Sequence, residues 1–110
     1  MRNKFGNKKI TYMGEVFDSK REYERYRELR LMARAGAINN LMRQVKFELV
    51  PAQYEGKRCV ERAVNYIADF VYWEGDQMIV EDVKGVRTDA YIIKRKLMLK
   101  IHGVRIQEVE

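Results

Sequence analysis

Two acids and a lysine in the stretch from Asn65 to Gly85 have a spacing that could bring them into one site. The stretch reads NYIADFVYWEGDQMIVEDVKG and predicts two strands joined by a tight turn, Val60 to Trp73 and Gln77 to Gly85. Side chains two residues apart in a strand lie on the same face of the sheet. The second strand therefore presents Asp82 beside Lys84.

Asp69 lies inside the first of these strands, in a run that is apolar on both faces. Such a run is typical of a strand in the middle of a covered sheet, where an unpaired carboxylate would be strongly destabilising. A divalent cation shared with Asp82 would compensate Asp69, and so would an ion pair with Lys84. Two acids beside one lysine leave an excess of negative charge, which favours the cation.

The cysteine and histidine content restricts the chemistry of any site. Cys59 is the only cysteine and His102 the only histidine, so one chain can form no disulfide framework, zinc finger or histidine-based triad. Carboxylates, lysines and hydroxyls remain. These groups favour hard ions that prefer oxygen ligands, such as Mg²⁺ or Mn²⁺.

The composition is that of one globular domain. The chain has 110 residues, of which 46% are hydrophobic and 35% charged, and no apolar run approaches the roughly 20 residues that span a bilayer. A cytoplasmic protein with no membrane partner is predicted. A net charge of +6 suits a polyanionic partner, although many basic proteins bind no nucleic acid.

Glu22 is a third acid with two possible roles. Ser19 opens a predicted helix that runs to about Ala35 and stops at Gly36, with Glu22 at the capping-box spacing. On a helical wheel Glu22 lies inside the apolar arc, and two other acids lie opposite it. The arc is formed by Tyr23, Tyr26, Leu29 and Ala33, and the outer acids are Glu24 and Glu28. Glu22 is either the capping residue or a ligand aimed at the same centre as Asp69.

The remaining elements are predicted from local patterns. The expected order is a basic arm, Met1 to Lys9; a short extended hairpin, Ile10 to Phe17; a half-buried strand, Met42 to Val50; a polar loop, Gln53 to Arg62; a second helix from Thr88 to His102, ended by Gly103; and a strand, Val104 to Val109. A helix between the last two strands favours a crossover, which predicts an α/β fold with a mixed central sheet flanked by helices.

The second helix raises the question of a partner. Its apolar arc is predicted to contain Ala90, Ile93, Leu97 and Ile101, with Lys94 beside them. Ile92 and Leu99 would then lie on the far side, where a second subunit could cover them.

The arrangement of Asp69, Asp82-Val83-Lys84 and an upstream Glu22 resembles the PD-(D/E)xK nuclease superfamily. Within it, the sequence is most similar to small phage and prophage proteins that resemble Holliday-junction resolvases and the transposase endonuclease subunit. The phrases FDSKREYERYRELRLM, YIADFVY and VEDVKGVRTDAY carry the likeness, while Ala68 replaces the proline of the motif's name.

This resemblance implies a restriction-endonuclease-like core with the order α-β-β-β-α-β over residues 19–110, preceded by the basic arm and lead-in of residues 1–18. It implies a Mg²⁺- or Mn²⁺-dependent DNA endonuclease in which Asp69 and Asp82 bind the metal, Glu22 completes the site and Lys84 acts on the attacking water. Predicted DNA contacts are Lys94, Lys46, Gln44 and Arg87. A phage-encoded homodimer that acts on branched DNA in a bacterial cytoplasm is expected. The alternative is a catalytically inactive nucleic-acid-binding module with the same fold.

Overall fold

The computed structural model describes residues 9–110, so the predicted basic arm lies outside the described residues except for Lys9. Ten elements follow one another along the chain. They are β1 Ile10–Tyr12, β2 Glu15–Phe17, α1 Lys20–Arg34, β3 Asn39–Val50, β4 Gln53–Glu55, β5 Arg58–Glu61, β6 Val64–Glu74, β7 Gln77–Val83, α2 Asp89–His102 and β8 Gln107–Val109.

Four strands form the central sheet in the order β3-β6-β7-β8. β6 is antiparallel to β3 and to β7, and β8 is parallel to β7. A parallel pair needs a crossover connection, and α2 supplies it. The predicted α/β fold with a mixed central sheet is therefore confirmed.

The ends of both helices follow the predicted local signals. The hydroxyl of Ser19 accepts the backbone N–H of Glu22 at 3.1 Å, and that of Thr88 accepts the N–H of Tyr91 at 3.1 Å. Gly103 ends α2 at φ +68°, a left-handed conformation that glycine adopts without a Cβ penalty. These contacts fix where α1 and α2 begin and where α2 stops.

The helices cover opposite faces of the sheet, because neighbouring residues of β7 pack into different clusters. Ile79 packs with Leu29 of α1, whereas Val80 packs with Tyr91 and Met98 of α2. The lead-in also joins the core, since Phe17 is fully buried and its ring lies 5.2 Å from that of Tyr26.

Several predicted boundaries are wrong. β3 begins at Asn39 instead of Met42, and β7 ends at Val83 instead of Gly85. The polar loop Gln53 to Arg62 instead contains the hairpin β4–β5, which turns at Gly56 with φ +61°. All residues of both strands are exposed, so neither strand shows the clear alternation of apolar and polar residues by which a half-buried strand is predicted. The long strand consequently begins at Val64 instead of Val60, and the last strand is shortened to Gln107–Val109.

The buried face of α2 was predicted only in part, since Leu97 packs against the core but most of the predicted arc does not. Tyr91 and Met98 are buried and Ile92 packs against the same cluster, whereas Ile93 and Ile101 are 58% and 48% exposed. Isoleucines occur on both sides of this helix, so hydrophobicity alone cannot select the face. The packing of Tyr91 against Tyr66 of β6, with ring centroids 6.4 Å apart, selects it.

Neither helix of the described residues is long and apolar enough to cross a membrane.

Candidate functional site

Asp69 and Asp82 lie opposite each other at the point where β6 and β7 stop pairing. The last pair of this ladder is Phe70 with Glu81, and the next residues along the strands are the two aspartates. Oδ2 of Asp69 accepts the backbone N–H of Val83 at 2.8 Å. The carboxylate of Asp69 thus replaces a backbone carbonyl as the acceptor of this N–H, and the two strands separate at this point.

The other edge of β6 is irregular at the same level. β3 pairs with β6 at Arg43 with Phe70 and at Val45 with Ala68, and Gln44 between these pairs has φ +54°. A left-handed conformation destabilises a residue with a Cβ by roughly 1–2 kcal/mol, and such strain is concentrated at functional sites.

This irregularity changes which side chains face which helix. Ala68 packs in the cluster of α2 and Phe70 in that of α1, although strict alternation would put both on one face. In β3, Leu41 packs in the cluster of α1 and Val45 in that of α2, although the two are four residues apart. The apolar pattern on both faces of β6 therefore has a structural cause centred on Asp69.

The two aspartates interact strongly. Burial is the main cause that raises the pKa of Asp69, and the neighbouring Asp82 carboxyl raises it further, as does the charge of Glu22. The hydrogen bond from Val83 opposes this shift. Close buried carboxylates cannot both ionise readily without a cation, so they tend to share a proton.

Lys84 pairs with Asp82 instead of Asp69. Its Nζ lies 3.0 Å from Oδ2 of Asp82 and 4.1 Å from the centroid of the Tyr91 ring. Asp82 is only 3% exposed, so this ion pair lies in a buried place. Burial raises the pKa of the Tyr66 hydroxyl, and the nearby Asp82 carboxylate raises it further.

These groups line one groove between the sheet and α2. Its walls are formed by Asp82, Lys84, Tyr66, Tyr91 and Lys94, among others. The structure thus brings Lys94, a predicted phosphate contact, to the same groove as Asp82. The groove combines buried anionic oxygens with two ammonium groups, which suits a metal ion and a phosphate.

The side chain of Glu22 points into the interior, where it accepts hydrogen bonds from two residues of β3. The side chain is buried, and its Oε1 lies 3.3 Å from both Nη2 of Arg43 and Nε2 of Gln44. Burial and the charge of Asp18 raise its pKa, whereas Arg43 opposes that shift. Among residues 9–110, no three Asp, Glu, His or Cys residues are close enough to hold a metal ion.

The other predicted DNA contacts differ in their surroundings. Lys46 is exposed on β3 and pairs with Ile67, a residue of the groove. Arg87 lies elsewhere and is bound by two acids, Glu108 at 2.9 Å and Glu110 at 3.3 Å. The structure therefore gives Lys46 a place near the groove but engages Arg87 with the C-terminal strand.

Comparison with known proteins assigns a family without an activity. Residues 2–109 match the family model described as "Protein of unknown function (DUF1064)". The chain belongs to the DUF1064 family. No curated protein and no solved structure matches it significantly.

Two residues of this DUF1064 fold have roles that the sequence did not indicate. Arg43 packs its guanidinium 3.8 Å from the centroid of the Phe17 ring and binds Glu15 at 2.9 Å as well as Glu22. Tyr66 brings a buried hydroxyl close to the Asp82 carboxylate. An arginine inside an alternating strand and a tyrosine inside an apolar run were the available signals, but both are also common in ordinary folds.

Glu81, next to Asp82 in the DUF1064 sequence, faces the other side of the sheet. Its carboxylate accepts two hydrogen bonds from Arg25, at 2.9 and 2.7 Å, and one from the hydroxyl of Tyr72. This network joins α1 to β7 and removes Glu81 from the set of candidate ligands.

Proposed function

We propose that this protein is a metal-dependent DNA endonuclease with a restriction-endonuclease-like core, in which Asp69, Asp82 and Lys84 form the active site. The observation that carries the proposal is the pair of carboxylates, Asp69 and Asp82, held together at a break in the strand pairing. One ammonium group, that of Lys84, lies 3.0 Å from Oδ2 of Asp82. One lysine cannot neutralise two neighbouring carboxylates in a buried place, so the pair calls for a further cation.

The donor set fits a hard divalent cation. Asp69 and Asp82 would hold Mg²⁺ or Mn²⁺ through carboxylate oxygens, the ligands that these ions prefer. A cation there would also offset the repulsion between the two carboxylates. When bound, such an ion supplies Lewis-acid activation of water and of the phosphate.

Lys84 and the groove act on the substrate in this proposal. Lys84 would orient the attacking water and stabilise the charge that builds up on the phosphate. Lys94 and Lys46 would bind the DNA backbone on either side of the scissile bond. Glu22 would add negative charge next to Asp69, held in place by Arg43 and Gln44.

The inactive binding module remains the second candidate, and one observation favours it. Glu22 is engaged by two side chains of β3, and the described residues contain no ready-made group of three metal ligands. A protein that uses this fold only to bind nucleic acid would keep the basic groove and would have no need of the cation.

The first experiment tests cleavage directly. The protein is incubated with Mg²⁺ or Mn²⁺ and a panel of linear, nicked, flapped and four-way DNA. We expect at least one branched substrate to be cut, and EDTA to stop the reaction. If no substrate is cut, or if Lys84→Ala cuts as fast as the parent, the catalytic assignment fails.

The second experiment separates the two candidates by ion binding. An ion at 100 times its Kd stabilises the folded state by about 2.7 kcal/mol. We expect Mg²⁺ or Mn²⁺ to raise the Tm of the parent but not of Asp82→Ala. Asp76→Asn, which removes an exposed acid in the β6–β7 turn, serves as the matched control and should keep the shift. An inactive module would show no such shift.

The remaining parts of the proposal concern assembly and origin. We propose a homodimer that acts in the cytoplasm of a bacterial host, encoded by a phage or prophage. Ile92 is packed in the core and cannot form the dimer contact expected of it, but Ile93, Leu99 and Ile101 of α2 are exposed and available. Light scattering of the parent and of Ile93→Glu would test the dimer.

A further inference from the structure

Three arginines form an exposed row on α1 that no part of the candidate site uses. Arg27, Arg30 and Arg34 are all exposed, and none forms an ion pair within residues 9–110. At 100° per residue they lie within an arc of about 60° and span about 10 Å of the helix. Like charges at these spacings repel each other, so the row destabilises α1 unless an anion binds it.

Acidic residues near the row do not neutralise it. Glu28 is taken by Arg25 at 3.1 Å and by Arg21 at 3.9 Å, and Glu22 is buried on the core side. Residues 1–8, which precede the described part, contain no acid. The row therefore keeps its three positive charges.

Aromatic rings lie close to two of the three arginines. The Cζ of Arg27 lies 6.0 Å from the centroid of the Tyr23 ring, and that of Arg30 lies 5.7 Å from the Tyr26 ring. A groove beside the row is lined by Tyr12, Tyr26 and Leu31 together with the arginines. Guanidinium groups stacked on rings lose less freedom when they bind a ligand.

The N-terminus of the helix that carries the row lies beside the candidate site. Ser19, Lys20 and Arg21 line one cavity together with Lys84. Glu22 and Arg34 are twelve residues apart on α1, which is about 18 Å along the axis or about five base pairs of duplex DNA. A duplex that passes the N-terminus of α1 could therefore reach the row.

We propose that the arginine row, Arg27, Arg30 and Arg34, binds the phosphate backbone of a nucleic acid several base pairs from the cleavage site. Guanidinium groups match phosphate oxygens in geometry and charge. The choice of DNA rests on the proposed function. The row sets the position of the duplex on the protein, and the groove that contains Asp82 and Lys84 cleaves the duplex.

Salt-dependent binding tests this assignment. The parent and Arg27→Gln/Arg30→Gln/Arg34→Gln are titrated into labelled duplex DNA in EDTA, over a range of salt concentrations. Glutamine preserves helix propensity at exposed positions, and circular dichroism checks the fold. Loss of three phosphate contacts should lower the slope of log affinity against log salt by about 2–3 and weaken binding at least about tenfold.

A control removes the same net charge elsewhere. Lys96→Gln/Lys100→Gln/Arg105→Gln replaces three exposed cations of α2 and the segment after it, and it should leave the slope nearly unchanged. Equal losses in both triple variants, or parent-like binding by the arginine-row variant, would overturn the inference.

Cleavage measured separately distinguishes the two proposals. If the parent binds through the arginine row but cuts nothing with Mg²⁺ or Mn²⁺, only the nuclease assignment is refuted. If the parent cuts DNA and the arginine-row variant binds as tightly as the parent, only the inference about the row is refuted.

Discussion

Asp69 lies opposite Asp82, one residue beyond the last pair of β6 and β7, and it accepts the backbone N–H of Val83 at 2.8 Å. Burial raises the pKa of Asp69, and the Asp82 carboxyl beside it raises that pKa further. The sheet therefore holds two acids together in a place where their charges oppose folding. A site that sacrifices stability in this way is expected where binding or catalysis needs the charges.

Asp69→Asn should stabilise the metal-free protein. A carboxyl with a raised folded-state pKa lowers stability as pH rises above its unfolded value, so the penalty is present at neutral pH. Asparagine can accept the Val83 N–H and donate to Asp82, and it carries no charge. We expect a higher Tm at pH 7 by several degrees, measured by calorimetry in EDTA, and a loss of the Mg²⁺-dependent shift. An unchanged or lower Tm would contradict the assigned repulsion, and Asp76→Asn should leave Tm unchanged.

Lys84 and Lys94 should differ in kinetic role although they line the same groove. Lys84 lies 3.0 Å from Asp82 and is assigned to the chemical step, so Lys84→Met should lower kcat by about 10²–10⁴-fold. Lys94 is assigned to the backbone of the substrate, so Lys94→Met should mainly raise KM. Steady-state cleavage rates separate the two, and equal effects of both variants on kcat would remove the distinction.

Glu108 should make the stability of the fold depend on pH through its hydrogen bond with Tyr91. The hydrogen bond from the Tyr91 hydroxyl at 2.6 Å is the largest cause that lowers the pKa of Glu108 to about 2, and Arg87 and Arg95 contribute. A lowered pKa adds stability that is complete above the unfolded value near 4.5 and is lost as pH falls toward 2. Tyr91→Phe should therefore lower Tm at pH 6, and its difference from the parent should shrink by pH 2.5. Glu108→Gln should show the same loss of pH dependence.

The ion pair of Arg25 and Glu81 should matter to the fold and not to the cation. Arg25→Leu leaves a carboxylate that is 1% exposed without its main partner, which should destabilise the protein by roughly 3 kcal/mol in urea unfolding. Arg25→Leu/Glu81→Leu removes both charges and should recover most of that loss. Both variants should retain the Mg²⁺-dependent shift. If the shift disappeared in the folded double variant, Glu81 would have to be counted among the site residues.

Local chemistry in the sequence predicted the framework of this protein. The hydroxyls of Ser19 and Thr88, the glycine at 103 and the alternation of β3 define their elements through contacts with residues a few positions away. The spacing of Asp82 and Lys84 likewise placed both at one groove, because strand geometry alone puts them on one face. Family membership extends over almost the whole chain but adds no activity to this prediction.

Tertiary structure decided which partner each side chain meets. Glu22 was predicted to face inward, but only the approach of β3 gives it Arg43 and Gln44 as partners. The buried side of α2 follows from Tyr66 on a strand 25 positions before Tyr91, which no periodicity within the helix can reveal. The sequence by itself determined most of the elements and the acid–lysine pair, because these depend on contacts between close neighbours in the chain. The buried face of α2, the separation of the strands at Asp69 and the left-handed Gln44 depend on pairing between distant segments, and that pairing exists only in the folded sheet.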